Sequence, residues 1–484
     1  MTVTVEAGQA ATPVAARRWL GLFAILAATL MNLLDTSIVN VALPDIRRDL
    51  GGSYSAMQWI VASYALVLAM GLITGGRLGD MFGRRRMLLT GAAGFVAASV
   101  SCALAQSPEM MIGSRVLQGA FGAVMIPQCF GLIRDLFPSG EDQAKAWGIF
   151  GPSIGLASIL GPVVSGLLIK ADLFGTDWRM IFFINVPLGA FALVAGRASL
   201  PRPTGDRTGG LDVVGMLTAA AGMGLLVYPL VQGREQGWPA WILTMPVVSV
   251  IVLAAFAVRQ VRRQGSGRMP LVRLSVFAHR SYTSGVLFVI VFFASIVGFA
   301  LSFGLMLQLG LGFTPIGASL AMITWAVGAF VGSATGSMLA RLGRRILHLG
   351  LSLMALGTAG VYAVLAASGT GISAWQTAFP LLVCGAGMGM IFVPLFGIIM
   401  GEIEDHEVGS ASGTLESVQQ LASALGVAAL GTVFFNRFTA SAHTLHAVRA
   451  NAIAAAEQVT LITLGLLVVA ILVGFLLPRQ ARQG

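Results

Sequence analysis

Apolar side chains run in long stretches from Trp19 to Leu477, each stopped by a short polar or charged turn. A helix that crosses the hydrocarbon core of a bilayer needs about twenty predominantly apolar residues. Fourteen stretches reach that length, at 19–43, 57–78, 87–106, 109–133, 146–169, 179–200, 211–231, 240–260, 281–309, 315–340, 346–367, 375–401, 411–436 and 459–477. They predict an all-α integral membrane protein with fourteen transmembrane helices. Arg17 and Arg18 stand ahead of the first stretch as they would in a signal peptide. The stretch is too long for a signal's apolar region and no small-residue cleavage site follows, so an uncleaved first span is expected.

The turn between the second and third spans holds the densest charge of the first hundred residues, Gly76-Arg77-Leu78-Gly79-Asp80-Met81-Phe82-Gly83-Arg84-Arg85-Arg86. Its glycines let two helix ends come close, and Asp80 is placed to answer its arginines. The frame returns at a constant offset of 260 as Gly336-Ser337-Met338-Leu339-Ala340-Arg341-Leu342-Gly343-Arg344-Arg345, with Ala340 in the place of Asp80. A repeated hinge implies a repeated half. Spans 1–6 and 9–14 therefore read as two six-helix bundles, with spans 7 and 8 inserted between them. The linker Val261–Arg280 carries six arginines counted from Arg259 and marks the boundary before the second half. The expected divisions are a tail at 1–18, a first bundle at 19–200, the inserted pair with its linkers at 201–280, a second bundle at 281–477 and a tail at 478–484.

Composition removes several function classes. With 56% hydrophobic and 10% charged side chains, the 484 residues hold more apolar surface than a soluble core could hide. The formal charge of +10 would suggest nucleic acid in a soluble protein, but here the basic residues fall between apolar runs and read as topology signals. Seven lie on one side of the alternating spans (Arg47, Arg48, Lys170, Arg179, Arg234, Arg437, Arg449), Arg115 lies within the membrane, and the remaining 22 lie on the other side. The positive-inside rule then places both termini and both tails in the cytoplasm, in a plasma-membrane protein. The cysteines Cys102, Cys129 and Cys384 sit inside apolar runs without pairing or ligand spacing and read as packing residues. The only lysines, Lys145 and Lys170, follow no glycine-rich turn, so no phosphate-cradling loop for ATP is present. His443 and His446 are three apart but lack a third ligand, and a solvated or interfacial helix is the simpler reading. No metal or cofactor is expected, no nucleophile–base pair lies at membrane depth, and an enzyme is not expected. The lipid bilayer is the expected partner, and the chain is read as a monomer.

Polar residues inside spans carry what chemistry there is. Asp35 lies in span 1 with Asn32, Thr36 and Asn40 on or near one helical face, a stripe expected to face a cavity. An ionisable group in the bilayer costs about 2.5–3.5 kcal/mol on insertion scales, so it persists mostly where it binds or conducts something. A carboxylate there can take up a proton and release it when its surroundings change; the alternative is a structural partner for an arginine. Arg115 in span 4 shares a face with Gln118 and stays charged at any working pH, which lets it hold or release Asp35, or else snorkel. Span 13 aligns Ser412, Glu416, Gln419, Gln420 and Ser423, with Glu416 as a second protonatable or cation-binding group or as part of a structural polar zipper. Asn32, Gln118, Gln419 and Gln420 are expected along the substrate cavity. Span 5 is rich in glycine and carries Pro152 and Pro162, so Gly161 and Pro162 mark a candidate gate. The glycines of spans 10 and 12, with Pro394, read as packing and bending.

Several of these motifs resemble those of the major facilitator superfamily. Gly76 to Arg86 is similar to its signature loop, apart from Met81 where the family usually has a basic residue. Leu34-Asp35-Thr36-Ser37-Ile38-Val39-Asn40-Val41-Ala42-Leu43-Pro44 resembles the first-span signature of its fourteen-span drug:proton antiporters. Arg115-Val116-Leu117-Gln118-Gly119 resembles the family's span-4 motif, and Gly151-Pro152 to Gly161-Pro162 the span-5 motif of exporting members, with Ala157 and Ser165 in place of glycines. Trp178 to Gly189 and Leu211 to Gly215 match the starts of spans 6 and 7. The resemblance implies the major facilitator fold with two inserted helices. It assigns Asp35 and Arg115 to proton handling, and Gly76, Asp80, Gly83 and Arg84 to a hinge in which Asp80 would latch to Arg134. It also implies proton-coupled antiport that exports hydrophobic or cationic drugs. A dedicated exporter of one endogenous metabolite is the alternative, and a membrane-embedded receptor is a more distant one.

Overall fold

Hydrocarbon offers a peptide group no partner, so each apolar stretch must satisfy its backbone internally, and the computed structural model is helical almost throughout. It describes residues 13–137, 163–172, 175–201, 212–266, 270–339, 342–403, 408–438 and 444–478, together with 142, 145, 146, 149 and 161. The first half contains α1 (Pro13–Leu50), α2 (Tyr54–Phe82), α3 (Arg84–Ala103), α4 (Pro108–Leu136), α5 (163–171), the single turn α6 (Met180–Phe183) and α7 (Asn185–Ser199). The inserted pair is α8 (Val213–Gln232) and α9 (Ala240–Gly265). The second half contains α10 (Arg280–Leu305), extended by a π-turn at Met306–Gly310, then α11 (Pro315–Met338), α12 (Arg344–Ser368), α13 (Ala378–Met400), α14 (Val408–Arg437) and α15 (Leu445–Gly474). Side-chain caps start several of them: Ser53 and Ser107 accept the Ala56 and Met110 N–H groups, and Pro108 fills the first position of α4, where no donor is needed.

Thirteen helical stretches among the described residues are long and apolar enough to cross a membrane, and they coincide with thirteen of the fourteen expected spans. Most of the fifth, 146–169, lies outside the described residues, as do Pro162 and His443. The 260-residue repeat appears in the backbone. Gly83 (φ 91°) starts α3 and Gly343 (φ 56°) starts α12, both in the left-handed region that a side chain would strain.

Small residues set the closest helix pairs. A Cβ on Gly332 of α11 would stand 2.0 Å from the Ala386 carbonyl oxygen of α13, and one on Gly385 would stand 1.9 Å from that of Trp325. The equivalent pair of the first half, α2 and α4, meets the same way, with Gly75 against the Ala123 carbonyl at 1.9 Å. Overpacking a tight core costs about 1–3 kcal/mol, and a backbone carbonyl cannot rotate out of the way. Gly332→Val is therefore expected to lower the yield of folded protein by roughly tenfold or more. Gly397→Ala, at a glycine with open space around it, should leave yield unchanged. Fluorescence size-exclusion chromatography in detergent reads both.

The apolar core is continuous at one end of the molecule and divided at the other. At the end of the α1–α2 turn, called here the loop end, Leu43, Ile46 and Met57 of the first half share one cluster with Phe303, Met306, Phe434 and Phe438 of the second. Tyr54 lies against Phe435 there, ring centroids 4.5 Å apart, and Gln58 donates to the Val427 and Ala428 carbonyls. Toward the chain termini the described residues form two separate cores, one around Leu72, Phe95 and Leu132 and one around Phe288, Leu347 and Ile398. Among the described residues, the halves share one apolar core at the loop end and have separate cores toward the termini.

The inserted pair is not a loose appendage. Trp59 donates to Gln232, Thr432 donates to the Leu230 carbonyl at 2.5 Å, and Glu235 accepts the Ser55 N–H, so α8 touches α2 and α14 at their seam. Its other end is fixed by buried Asp212, which caps Gly215 at 3.0 Å and holds Arg259 at 2.7 Å and Gln260 at 3.0 Å. Burial alone would push the Asp212 carboxyl up, but bonds from Arg259, the Gly215 N–H and Gln260, with the charge of Arg263, hold it below its ordinary 3.8. Gln260 also accepts the Leu271 N–H and so ties down the linker to the second half.

Candidate functional site

α1 presents polar groups to two neighbours. Thr36 and Ser37 are half-buried and return their hydroxyls to carbonyls one turn back, at 2.8 and 3.1 Å from those of Leu33. A Cβ on Gly161 would stand 1.9 Å from Ser37 Oγ, and Ser165 donates to the Ile38 carbonyl at 3.0 Å, so span 5 lies directly on this face. Asn32 and Asp35 turn the other way, into the body of the first half. There Asp35 Oδ2 accepts an Nη1 hydrogen bond from Arg115, an ion pair whose side chains are both 1% exposed. The depth that would let Arg115 snorkel is not used.

A set of hydrogen bonds surrounds the pair, with only Asn185 Oδ1 among its side-chain oxygens buried without a partner. Arg115 donates through Nε to the Ile60 carbonyl at 3.0 Å and through Nη1 to Gln118 Oε1 at 2.6 Å, while its guanidinium lies 4.1 Å from the centre of the Tyr64 ring. Gln118 Nε2 bridges Asp35 Oδ1 and Ser99 Oγ, each at 2.7 Å. Asn185 donates to the same two atoms at 3.4 and 3.1 Å, and Tyr64 donates to Asn32 Oδ1 at 2.5 Å. Four helices, α1, α3, α4 and α7, with α2 alongside, thus contribute to one buried polar cluster. Asn32 and Gln118 were expected on an open cavity wall. Both are buried in this arrangement and hold the charged pair, because burying an ion pair requires its remaining donors and acceptors to be satisfied. Tyr64, Ser99 and Asn185 were not singled out from the sequence.

The second-half face is arranged differently. Glu416 is half-buried on α14, and its Oε1 accepts Gln420 Nε2 at 3.2 Å. No Lys or Arg ion-pairs with it among the described residues, and Gln419 Oε1 is buried without a hydrogen-bond partner. Ser417, on the neighbouring face, donates to the Ala69 carbonyl of α2 and fixes α14 against the first half. One half therefore holds its membrane carboxylate in a neutralised network, and the other leaves its carboxylate with an amide alone.

At the hinge, a Cβ on Gly76 would make only an ordinary contact with Pro127, and Gly83 provides the turn. Asp80 lies 3.6 Å from Arg84 on the next helix, and Arg84 reaches Asp135 at 3.3 Å. The expected latch from Asp80 to Arg134 is replaced by this chain through Arg84. Arg134 is exposed, because helical spacing turns Asp135, not Arg134, toward the start of α3.

The family model of the Major Facilitator Superfamily matches residues 25–427. A "Probable actinorhodin transporter" of Streptomyces coelicolor is 45% identical over 88% of this chain and 74% of its own length. A "Tetracenomycin C resistance and export protein" of Streptomyces glaucescens is 33% identical over 89% of this chain and 79% of its own. A "Multidrug efflux pump LfrA" of Mycolicibacterium smegmatis is 29% identical over 90% and 84%. Among solved structures, a D-xylose-proton symporter superposes with a TM-score of 0.63 at 17% identity, covering 95% of this chain and 97% of that one. An auto-inhibited peptide transporter gives 0.66 at 16%, covering 96% and 98%.

Proposed function

We propose, for a chain that belongs to the Major Facilitator Superfamily, that it exports hydrophobic or cationic drugs and antibiotics across the plasma membrane in exchange for protons. The fold and the transporter class are those of the family; the cargo, the proton coupling, the orientation and the monomeric state are our reading. The observation that carries it is the contrast between the two membrane carboxylates, Asp35 locked to Arg115 and Glu416 without a cationic partner. A carboxylate in a poorly solvated place needs a counter-charge or a proton, and in Glu416 either an organic cation or a proton can supply it. Exchange follows if the two cannot be bound together and favour opposite-facing states, since a ligand shifts a conformational equilibrium only by binding its states differently. The relatives named for resistance and efflux support the outward direction.

On the positive-inside rule we read the end toward the termini, which carries the excess of basic residues, as the cytoplasmic one. With the core closed at the loop end, the arrangement described above is then the cytoplasm-facing one. One charge moved across 100 mV supplies about 2.3 kcal/mol, roughly a fiftyfold gradient of cargo. Everted vesicles energised by a proton gradient should release protons when a cationic dye such as ethidium is added. Glu416→Gln keeps the Gln420 bond but not the charge, and is expected to weaken export of cationic dyes at least about tenfold while sparing neutral substrates, because only cations use the charge. Equal losses for both would assign Glu416 to the proton instead, and no loss for either would remove it from the site. The relative named for actinorhodin favours a narrower second reading, export of one self-made compound. Growth of expressing cells against a panel of dyes and antibiotics separates the two.

A further inference from the structure

At the loop end, three helices from different parts of the chain meet at one hydroxyl. Thr432 of α14 is buried; its Oγ1 accepts from Gln58 Nε2 of α2 at 3.3 Å and donates to the Leu230 carbonyl of α8 at 2.5 Å. Gly431 makes room for this, since a Cβ there would stand 2.4 Å from Gln58 Nε2. Leu230 lies in the last turn of α8, where carbonyls run out of helical donors, so Thr432 supplies a bond that the helix cannot make for itself. The same turn is fixed to α2 by a run of side chains. Trp59 donates to Gln232 Oε1 at 3.1 Å, Gln232 Nε2 donates to Glu235 Oε2 at 3.3 Å, and Glu235 Oε1 accepts the Ser55 N–H at 3.3 Å. Val227 and Val231 of α8 are buried in the apolar cluster that both halves share.

α2 belongs to one half and α14 to the other, so parting the halves at the loop end must break α8 from one of them. From this junction we infer that the inserted pair is a clasp on the loop-end gate: α8 bonds α2 and α14 together while that end is closed and opposes its opening. A group that bonds both halves at once favours the state in which both are within reach. Once they part, α8 keeps one partner and leaves polar groups facing the other without their bonds. The two inserted spans thereby set the balance between the two facing states, through contacts that involve neither Asp35, Arg115 nor Glu416. This role rests on the opposite-facing states proposed above, reached by rocking of the halves, and not on the cargo or the proton.

Val427 supplies a reporter, because it is 1% exposed in the shared cluster and its own carbonyl accepts from Gln58. The full chain carrying Val427→Cys is placed in nanodiscs without substrate or gradient, and its labelling by N-ethylmaleimide is followed by mass spectrometry. Labelling at position 427 measures opening of the loop end, while native Cys129, 1% exposed in the first-half core, measures loosening of the fold. Gln232→Leu cuts α8 from α2 but spares the bond from Gln58 to Thr432, and should speed labelling at position 427 at least about threefold, as the loss of a hydrogen bond or two would. Thr432→Val cuts α8 from α14 and should speed it as much or more. The double variant should match Thr432→Val, because a clasp already cut at one link gains nothing from a second cut. The parent rate in Gln232→Leu would make α8 a passenger and overturn the clasp. So would a double variant whose acceleration is the product of the two single ones, or equal acceleration at Cys129. No labelling in any variant would overturn the clasp together with the rocking it rests on, whereas slow labelling of the parent supports the rocking whatever the variants show.

Discussion

Asp35→Asn is expected to reduce drug-induced proton release in everted vesicles to background, a loss of at least about a hundredfold in exchange, while equilibrium binding of a neutral substrate changes little. The substitution keeps the shape, and the new side chain can still accept from Gln118 Nε2, which now lies 2.7 Å from Oδ1. What it removes is the group proposed to carry the proton together with the counter-charge of Arg115, so the yield of folded protein should also fall, through the cost of about 3–5 kcal/mol for an unpaired buried charge, and exchange is read per folded molecule. In the arrangement described, Asp35 is 2% exposed and paired with Arg115, so the proposed exchange would need the first half to rearrange and Arg115 to let go. On the proposed exchange the ion pair would act as a gate: proton uptake would require the pair to open, and reforming it would return the proton. Asn185 and Ser99 stabilise the closed form by holding the second oxygen and its partner Gln118. A weaker version of the same effect is therefore expected in Asn185→Ala, which removes one donor to Asp35 Oδ1, as a smaller loss of exchange read in the same vesicles. If Asp35→Asn exchanges drug for protons normally, the proton is carried elsewhere and the gate has no role.

The architecture was legible because membrane insertion writes it in runs of residues. Thirteen expected spans reappear as helices, and the 260-residue offset reappears as left-handed glycines at both hinges. Asp35 and Arg115 were legible singly because a charge in an apolar run has no ordinary reason to be there. Their pairing was not determined by periodicity, which places residues on helix faces but does not say which faces meet. Tyr64, Ser99 and Asn185 escaped for a related reason: neutral polar side chains are common in membrane helices, and only their convergence on Asp35 and Gln118 distinguishes them. The same limit explains Asn32 and Gln118, polar residues next to a charge that could have faced a cavity as well as the charge itself. At the hinge the sequence supplied two candidates, Arg84 and Arg134, and the backbone direction at Gly83 decided for Arg84. The seating of α8 across the α2–α14 seam has no motif at all, because it rests on Gln232, Leu230 and Glu235 meeting residues far away in sequence.

Arg115 probes the same pair from the other side, and its variants separate a structural role from a role in exchange. Arg115→Ala leaves Asp35 buried without a counter-charge, and breaking a buried pair from one side costs about 3–5 kcal/mol, enough to remove most folded protein. Arg115→Lys restores the charge but not the planar fork that serves Asp35, Gln118 and the Ile60 carbonyl at once while lying over Tyr64. It is expected to fold and to exchange at least about tenfold more slowly, through the loss of about 1.4 kcal/mol or more of directed bonding. The decisive variant is the double substitution Asp35→Asn with Arg115→Gln. Removing both charges takes away the desolvation penalty together with the attraction, and replacing a buried pair by neutral groups is often close to neutral for stability. Thermal unfolding in detergent should therefore return to within about 1 kcal/mol of wild type, whereas proton-coupled exchange should remain at background. A double variant that regains exchange would show that neither charge moves the proton. One that stays as unstable as Arg115→Ala would show that the surrounding hydrogen bonds, and not the unpaired charge, set the cost.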